Sequence, residues 1–317
     1  MEILTYIIVV MTISLVKGAF DPHRNGLVWH RNWKKIDVPD CGYKPGYHKH
    51  SSGYSKQARP GQFPWLVQIF IHDPGAPKNH QCMGAIISWR FILTAQQCFQ
   101  GYGSEPISPN SLYVKVGEWD LSTDPDCMDW GCAPPTKIYQ VEKVILYNDT
   151  TAAQHIALIK TKRFMFFNDF VGPICMEHGD MLQVDFTGKN GNWVTGWGKN
   201  AQDFTQNNRT TALTNLKIIS AYDKPKLFNG DKESVFILET PGYSHHIGET
   251  GGPVSVNPAR LSDGDYDDRE YLHGIKTSTL AITNEDDSKF SICNYVPYYL
   301  EWILEQMDPD RTDLFFS

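Results

Sequence analysis

From Phe63 onward, short runs rich in Val, Ile and aromatic residues recur between turn signals: WLVQIFI, CMGAIIS, LYVKVGEW, VEKVILY, IALIKT, NWVTGW, LKIIS, SVFIL and YLHGIKTS. Runs of this length and composition read as strands, and their even recurrence predicts an all-β sandwich or barrel rather than alternating strand and helix. One segment follows another period. In VPYYLEWILEQMDP the residues Leu300, Ile303, Leu304 and Met307 fall at i, i+3, i+4 and i+7, and Pro309 closes the segment. A single C-terminal helix packing one apolar stripe is expected there. Residues 19 to about 60 show neither period: Trp29 and Trp33 stand among charges, followed by Gly, Pro, His and Ser. They read as an extended N-terminal arm. No internal repeat is visible.

The chain's first residues add a different pattern. MEILTYIIVVMTISLVKGAF holds an apolar run from Ile7 to Val16, too short to span a bilayer, followed by Gly18 and Ala19. It reads as a secretory signal over residues 1–18, and no second long apolar run follows, so no membrane anchor is expected. Secretion makes the seven cysteines candidates for disulfides, with one left over. It also gives weight to the glycosylation sequons at Asn148 (NDT) and Asn208 (NRT). At 317 residues, 41% hydrophobic and 21% charged, the chain has room for one large or two small packed domains. A net charge of −7 without a basic cluster argues against a nucleic-acid partner, whose phosphates demand concentrated Lys and Arg.

Three landmarks carry the candidate chemistry: LTAQQC at 93–98, HIALIK at 155–160 and GETGGP at 248–253. Around them stand GQFPWLV at 61–67, GEWD at 117–120, PIC at 173–175, VTGWG at 194–198 and YYLEWI at 298–303. In order and spacing these resemble the trypsin-like serine proteases over about residues 51–308, and many ordered matches are far more specific than any one motif. The resemblance implies two packed antiparallel Greek-key β-barrels of the chymotrypsin/trypsin-like kind, a cleft between them and a C-terminal α-helix.

An active member of that family needs a histidine base, an aspartate that orients it and backbone amides that hold the oxyanion. The family's TAAHC is TAQQC here, which puts Gln97 at the base position, where an amide does not titrate near neutral pH. DIAL is HIAL, so His155 stands at the orienting position without a fixed negative charge. GDSGGP is GETGGP, so Thr250 keeps a hydroxyl but no adjacent base to activate it. Direct action of His155 on Thr250 would need a rearranged backbone, because the orienting position lies behind the base. His155 is expected instead to contact Gln97 and to be a partly buried, hydrogen-bonded imidazole. Loss of these side chains costs roughly a million-fold in turnover in serine proteases, so the expectation is a pseudoprotease and not an enzyme.

The resemblance extends the loss beyond the triad. An IVGG-like start aligns with Ser52–Ser55 (SGYS), which offers no new N-terminus to insert, and the aspartate that would receive it is Glu249. The floor of the specificity pocket aligns with Ser244 and the family's SWG wall with Thr277, Ser278 and Thr279. This pocket has no charge for Lys or Arg and a narrowed mouth. The implied disulfides are Cys82–Cys98 beside the base position, Cys127–Cys132 closing a surface loop, and Cys41–Cys175 tying a linker to the domain. Cys293 is left unpaired. The two disulfides that brace the nucleophile and specificity loops are absent, with His246 where one cysteine would stand.

The linker cysteine and the loop GEWDLSTDPDC resemble insect clip-type proteases and their non-catalytic homologues of the masquerade or prophenoloxidase-cofactor kind, some of them parasitoid venom proteins. The six-cysteine clip module itself is missing, since Cys41 is the only cysteine of the arm. His48, His50, His245 and His246 match no standard zinc spacing, and no metal or other cofactor is expected. The acidic run SDGDYDDRE at 262–270 lacks calcium-loop spacing and reads as a solvated, mobile insertion.

The expected organisation is thus a signal (1–18), an arm (19–50) with Cys41, a pseudoprotease domain (51–309) and a short tail (310–317). The expected function is that of a secreted, extracellular protein, in haemolymph or venom, that binds another protein in a cascade such as prophenoloxidase activation. Clip-type proteases and prophenoloxidase are the partners the resemblance implies. The competing readings are a residual Thr-based hydrolase and a carrier or adhesion protein without cascade effect.

Overall fold

Six strands close into the first barrel: β1 (Leu66–Ile71), β2 (Gln81–Ile86), β3 (Phe91–Ala95), β4 (Leu112–Val116), β7 (Lys137–Leu146) and β8 (Ile156–Thr161), paired in the order β1-β2-β3-β8-β7-β4. All six neighbour pairs are antiparallel. β4 alternates buried and half-buried residues along LYVKV, the period of a strand with one face on the core. Every residue of β3 and β8 is buried, because one face fills the barrel and the other is covered by the rest of the molecule. Between β4 and β7 lies a small hairpin, β5 (Cys127–Met128) and β6 (Gly131–Cys132).

The second, barrel-like sheet has eight strands: β9 (Cys175–Met176), β10 (Trp193–Gly196), β11 (Thr211–Leu213), β12 (Lys217–Ser220), β13 (Val235–Thr240), β14 (Pro253–Val256), β15 (Tyr271–Thr283) and β16 (Lys289–Tyr295). Seven follow the order β11-β10-β14-β15-β16-β13-β12, and β9 pairs in parallel with β15. The all-β, two-sheet expectation holds. β3, β9, β11, β14, β16 and the hairpin lie outside the nine runs; FILTA, PVSV and the two- and three-residue strands are too short or too evenly apolar to show a period.

These elements belong to a computed structural model, which describes residues 27–44, 58–71, 81–99, 108–129, 131–147, 155–188, 192–197, 209–213, 216–240, 250–261, 268–283 and 289–307. The signal, Asn148, Asn208, Ser52–Ser55, Ser244, His246 and Glu249 lie outside the described residues. No helix among the described residues is long and apolar enough to cross a membrane.

The last described elements are a 3-10 turn (Val296–Tyr299) and an α-helix (Leu300–Gln306). Leu300, Ile303, Leu304 and Met307 are all buried in the first core, the stripe that the spacing predicts. The arm departs from its extended reading. It makes 3-10 turns at Leu27–Trp29 and Trp33–Lys35, puts Leu27, Trp33 and Ile36 into the first core, and puts Val38 and Cys41 into the second. Asn32 Nδ2 donates to the Leu304 carbonyl at 2.8 Å. Its buried apolar residues are divided between two cores, which is why no period shows in its sequence.

The arm contributes Lys44 to an ion pair closed off from water. Lys44 Nζ lies 2.6 Å from Glu270 Oε1, with side chains 6% and 1% exposed. The ammonium also sits 5.0 Å from the Phe63 ring centroid, 5.4 Å from that of Trp193 and 5.9 Å from that of Trp65, distances at which a desolvated cation is attracted to ring faces. The approach is set by Gly42, whose φ of +67° and lack of a Cβ let its N–H reach the Pro173 carbonyl and its carbonyl receive the Glu270 N–H.

A second set of bonds joins the sheets through GEWD. The Trp119 carbonyl accepts from Trp197 Nε1 at 3.1 Å and from the Thr210 N–H at 2.7 Å, and Trp119 Nε1 donates to the Ala58 carbonyl. Burial raises the Asp120 carboxyl, but donors from Ser122 and Arg209 outweigh it and hold the group below its usual range. Burial pushes Glu118 up despite the opposing ammonium of Lys115.

Three disulfides are present: Cys41–Cys175, Cys82–Cys98 and Cys127–Cys132. Cys293 in β16 is free and fully buried, and burial pushes its thiol up to about 12. The thiolate is the reacting species, so the native protein at neutral pH should take up no iodoacetamide, and one equivalent should react after denaturation. Rapid alkylation of the native chain would show that β16 opens easily.

Candidate functional site

Gln97 lies in the 3-10 turn Gln96–Phe99 directly after β3, and His155 stands immediately before β8. β3 and β8 pair with Ala95 opposite Ile156, so the residues just beyond that pair are neighbours. The Gln96 N–H donates to the His155 carbonyl at 2.8 Å. Thr250 precedes β14, and its carbonyl accepts the N–H of Met83 in β2 at 2.9 Å. The Cys82–Cys98 disulfide then ties β2 to the turn that carries Gln97. Register and one disulfide thus bring three distant stretches together.

The Thr250 hydroxyl donates to the Thr277 carbonyl at 3.4 Å, so it is directed at backbone rather than at a ring nitrogen. Gln97 Oε1 is buried and has no hydrogen-bond partner among the described residues. Gln96 is the residue that the register sets opposite His155, and their backbones meet there. His155 is 5% exposed. Its ring lies 5.2 Å from that of Tyr147, which in turn packs edge-on against Tyr299 and Trp302.

Gly251 fixes the loop. Its φ is +89°, and a Cβ at that position would collide with the Met83 carbonyl and the Thr94 hydroxyl. Its N–H donates to the Lys276 carbonyl at 2.8 Å, and the Lys276 N–H returns a bond to the Gly252 carbonyl at 2.9 Å. The first glycine of the pair in GETGGP is therefore a steric requirement of the packed strands, legible in sequence only as one of two adjacent glycines.

The residues aligned with the specificity-pocket wall, Thr277, Ser278 and Thr279, lie within the continuous strand β15. The ladder to β16 slips at Thr277, with Lys276 opposite Cys293 and Ser278 opposite Ile292. Thr277 is buried and its hydroxyl donates to the Ile292 carbonyl at 2.9 Å. The Thr279 backbone pairs with Ser291, while its side chain and the floor residue Ser244 lie outside the described residues.

No group of three or more His, Cys, Asp and Glu that could hold a metal occurs among the described residues. His48, His50, His245 and His246 lie outside them. The reading of the acidic run as a mobile insertion needs correction at its end. Asp268 Oδ1 accepts from Asn257 Nδ2 at 2.7 Å, Arg269 donates to the Pro39 carbonyl at 2.6 Å, and Glu270 holds Lys44. Those charges have partners that sequence proximity does not reveal.

Known proteins share this architecture. The chain is 31% identical over 258 residues to Melanization protease 1 of Drosophila melanogaster, covering 75% of this chain and 60% of that protein. It is 28% identical over 265 residues to Serine protease grass of the same fly, covering 81% of this chain and 67% of that one. It is 32% identical over 143 residues to the CLIP domain-containing serine protease HP8 of Bombyx mori, covering 44% of this chain and 38% of that protein. The match to Melanization protease 1 therefore leaves more than a third of that relative's length outside it. A solved structure described as the Drosophila Grass clip serine protease of the Toll pathway superposes with a TM-score of 0.67 at 22% identity, covering 87% of this chain and 78% of that one, a likeness of fold. The family model described as Trypsin matches residues 54–303, which takes in both sheets and the loops carrying Gln97, His155 and Thr250, and the chain therefore belongs to the trypsin family.

Proposed function

We propose that this chain is a secreted, non-catalytic member of its family that acts by binding another protein in an immune proteolytic cascade such as prophenoloxidase activation and melanisation. A clip-type protease or prophenoloxidase is the partner. The observation that carries the reading is the chemistry at three converging positions: Gln97 has no titrating group, His155 no fixed negative charge, and Thr250 no adjacent base. The Thr250 hydroxyl bonded to the Thr277 carbonyl supports it, because an activated nucleophile needs a base within hydrogen-bond reach. The apolar run Ile7–Val16 supports secretion, and the names of the relatives, a melanization protease and a Toll-pathway protease, support the cascade. What selection keeps in such a protein is a surface on a stapled scaffold, and the three disulfides and two cores supply that scaffold.

The test has two arms. A fluorophosphonate probe, which phosphonylates the nucleophile of active serine proteases with loss of fluoride, should leave the purified protein unlabelled, and adding the protein to activated haemolymph should change the rate of melanin formation with dose. Labelling at Thr250 would establish a Thr-based hydrolase instead. An unchanged melanin rate at every dose would favour a carrier or adhesion protein.

A further inference from the structure

A rigid cluster of exposed aromatic rings lies at one end of the first barrel, in the loop after β8. Met165 is fully buried in the first core, while its neighbours Phe164 and Phe166 remain 38% and 68% exposed. The loop is held on both sides. On one, the Met165 N–H donates to the Trp89 carbonyl at 2.7 Å and the Thr161 N–H to the Arg90 carbonyl at 2.9 Å; on the other, the Lys162 N–H donates to the Gln140 carbonyl at 2.9 Å. Trp89, itself 42% exposed, stacks on Phe167 with centroids 4.0 Å apart. The exposure of these rings is therefore built in by the fold. Contiguous exposed rings of this kind mark interaction sites, and rigid aromatic anchors beside arginine are the usual energetic centre of a protein interface.

The cluster also has the opposite charge to the molecule. The chain carries −7 overall, yet Lys162 and Arg163 are exposed here and make no ion pair among the described residues. The Arg90 guanidinium lies 5.5 Å from the Phe164 ring centroid and Lys137 Nζ lies 5.7 Å from that of Phe166. The Glu142 carboxylate is shared between Arg90 and Lys160. The sequence shows only the short run KTKR; the fold adds Lys137 and Arg90 and sets them over rings.

From this we infer that the face formed by Trp89, Phe164, Phe166, Lys162 and Arg163 is a docking surface for an acidic, aromatic-bearing segment of a second protein. The inference rests on the binder reading above and locates the binding away from the former cleft. A chain of net negative charge repels an acidic partner on average, and the local excess of Lys and Arg at this face favours approach here. The partner's carboxylates meet Lys162 and Arg163, and its apolar groups cover rings that water now touches.

The test uses the full secreted chain, a fluorescein-labelled peptide of alternating acidic pairs and tyrosines, and phosphatidylcholine vesicles with and without phosphatidylserine. The wild-type chain should bind the peptide in a salt-sensitive way, and K162E/R163E and F164S/F166S should each weaken binding by about tenfold or more. K162E/R163E changes only exposed side chains, so its loss is not one of folding. Absence of peptide binding by the wild type, or equal binding by both double variants, overturns the inference. Vesicle binding that both variants abolish, without peptide binding, assigns the face to an anionic membrane and overturns it too. Failure here is distinguishable from failure of the function proposed above. If melanin formation responds equally to wild type and K162E/R163E, the cascade role stands and this surface falls. If neither protein alters melanin formation but the peptide binds, the reverse holds.

Discussion

Lys44→Met should destabilise the folded domain by about 3–5 kcal/mol, the cost of leaving a buried charge without its partner. Glu270 is 1% exposed and its Oε1 receives the Lys44 ammonium at 2.6 Å, while its Oε2 is buried without a hydrogen-bond partner among the described residues. Removing the ammonium strands a carboxylate in a site that water does not reach. The converse change should cost less. In Glu270→Gln the amide oxygen still accepts from Lys44, and the rings of Phe63, Trp65 and Trp193 still face the cation. Lys44→Met with Glu270→Gln should recover part of the loss, because no charge then remains buried. Urea unfolding of the oxidised protein measures all three. A Lys44→Met variant as stable as wild type would mean that the pair is hydrated and the arm loosely held.

A cost of about 4 kcal/mol is expected for Gly251→Ala, from left-handed backbone strain together with overpacking against buried atoms. The new methyl would press on the Met83 carbonyl and the Thr94 hydroxyl. Neither can retreat: Met83 is paired to Gln68 of β1 and its N–H is bonded to Thr250, and Thr94 is paired to Ala157 of β8. The loop with Thr250 must give way instead, so the variant should also be cut more readily by proteases near that residue. Gly172→Ala is the control. A Cβ there meets nothing closer than Pro64 Cβ at 4.0 Å, so this change should leave stability almost unaltered. Equal stability of both variants would contradict the account of Gly251 as a point of contact between loop and barrel.

How much of this was legible beforehand depended on the range of the interaction. The strands appear in sequence because a half-buried strand alternates every second residue, as in LYVKV, and the helix because one stripe repeats with the helical turn, as in Leu300 to Met307. The arm was misread for the same reason. Trp33 and Ile36 enter one core and Val38 and Cys41 the other, so its apolar residues serve two surfaces and share no period. At the site, Gln97, His155 and Thr250 could be singled out from short motifs around each. The capture of the Thr250 hydroxyl by Thr277, and the backbone bond between Gln96 and His155, follow from strand pairing, which a motif does not encode.

By itself the sequence determined the fold class, the candidate disulfide cysteines and the residue types at the three landmark positions, all of which are local or counted along the chain. Only the tertiary structure decided that Lys44 meets a carboxylate 226 residues away inside three aromatic rings. It alone decided that Gly251 admits no side chain, and that Phe164 and Phe166 are held outward by the buried Met165 between them. The reason is physical. Burial, ion pairing and steric exclusion act over a few ångströms of space, and which residues share those few ångströms is set by how the strands pair and how the two sheets and the arm pack.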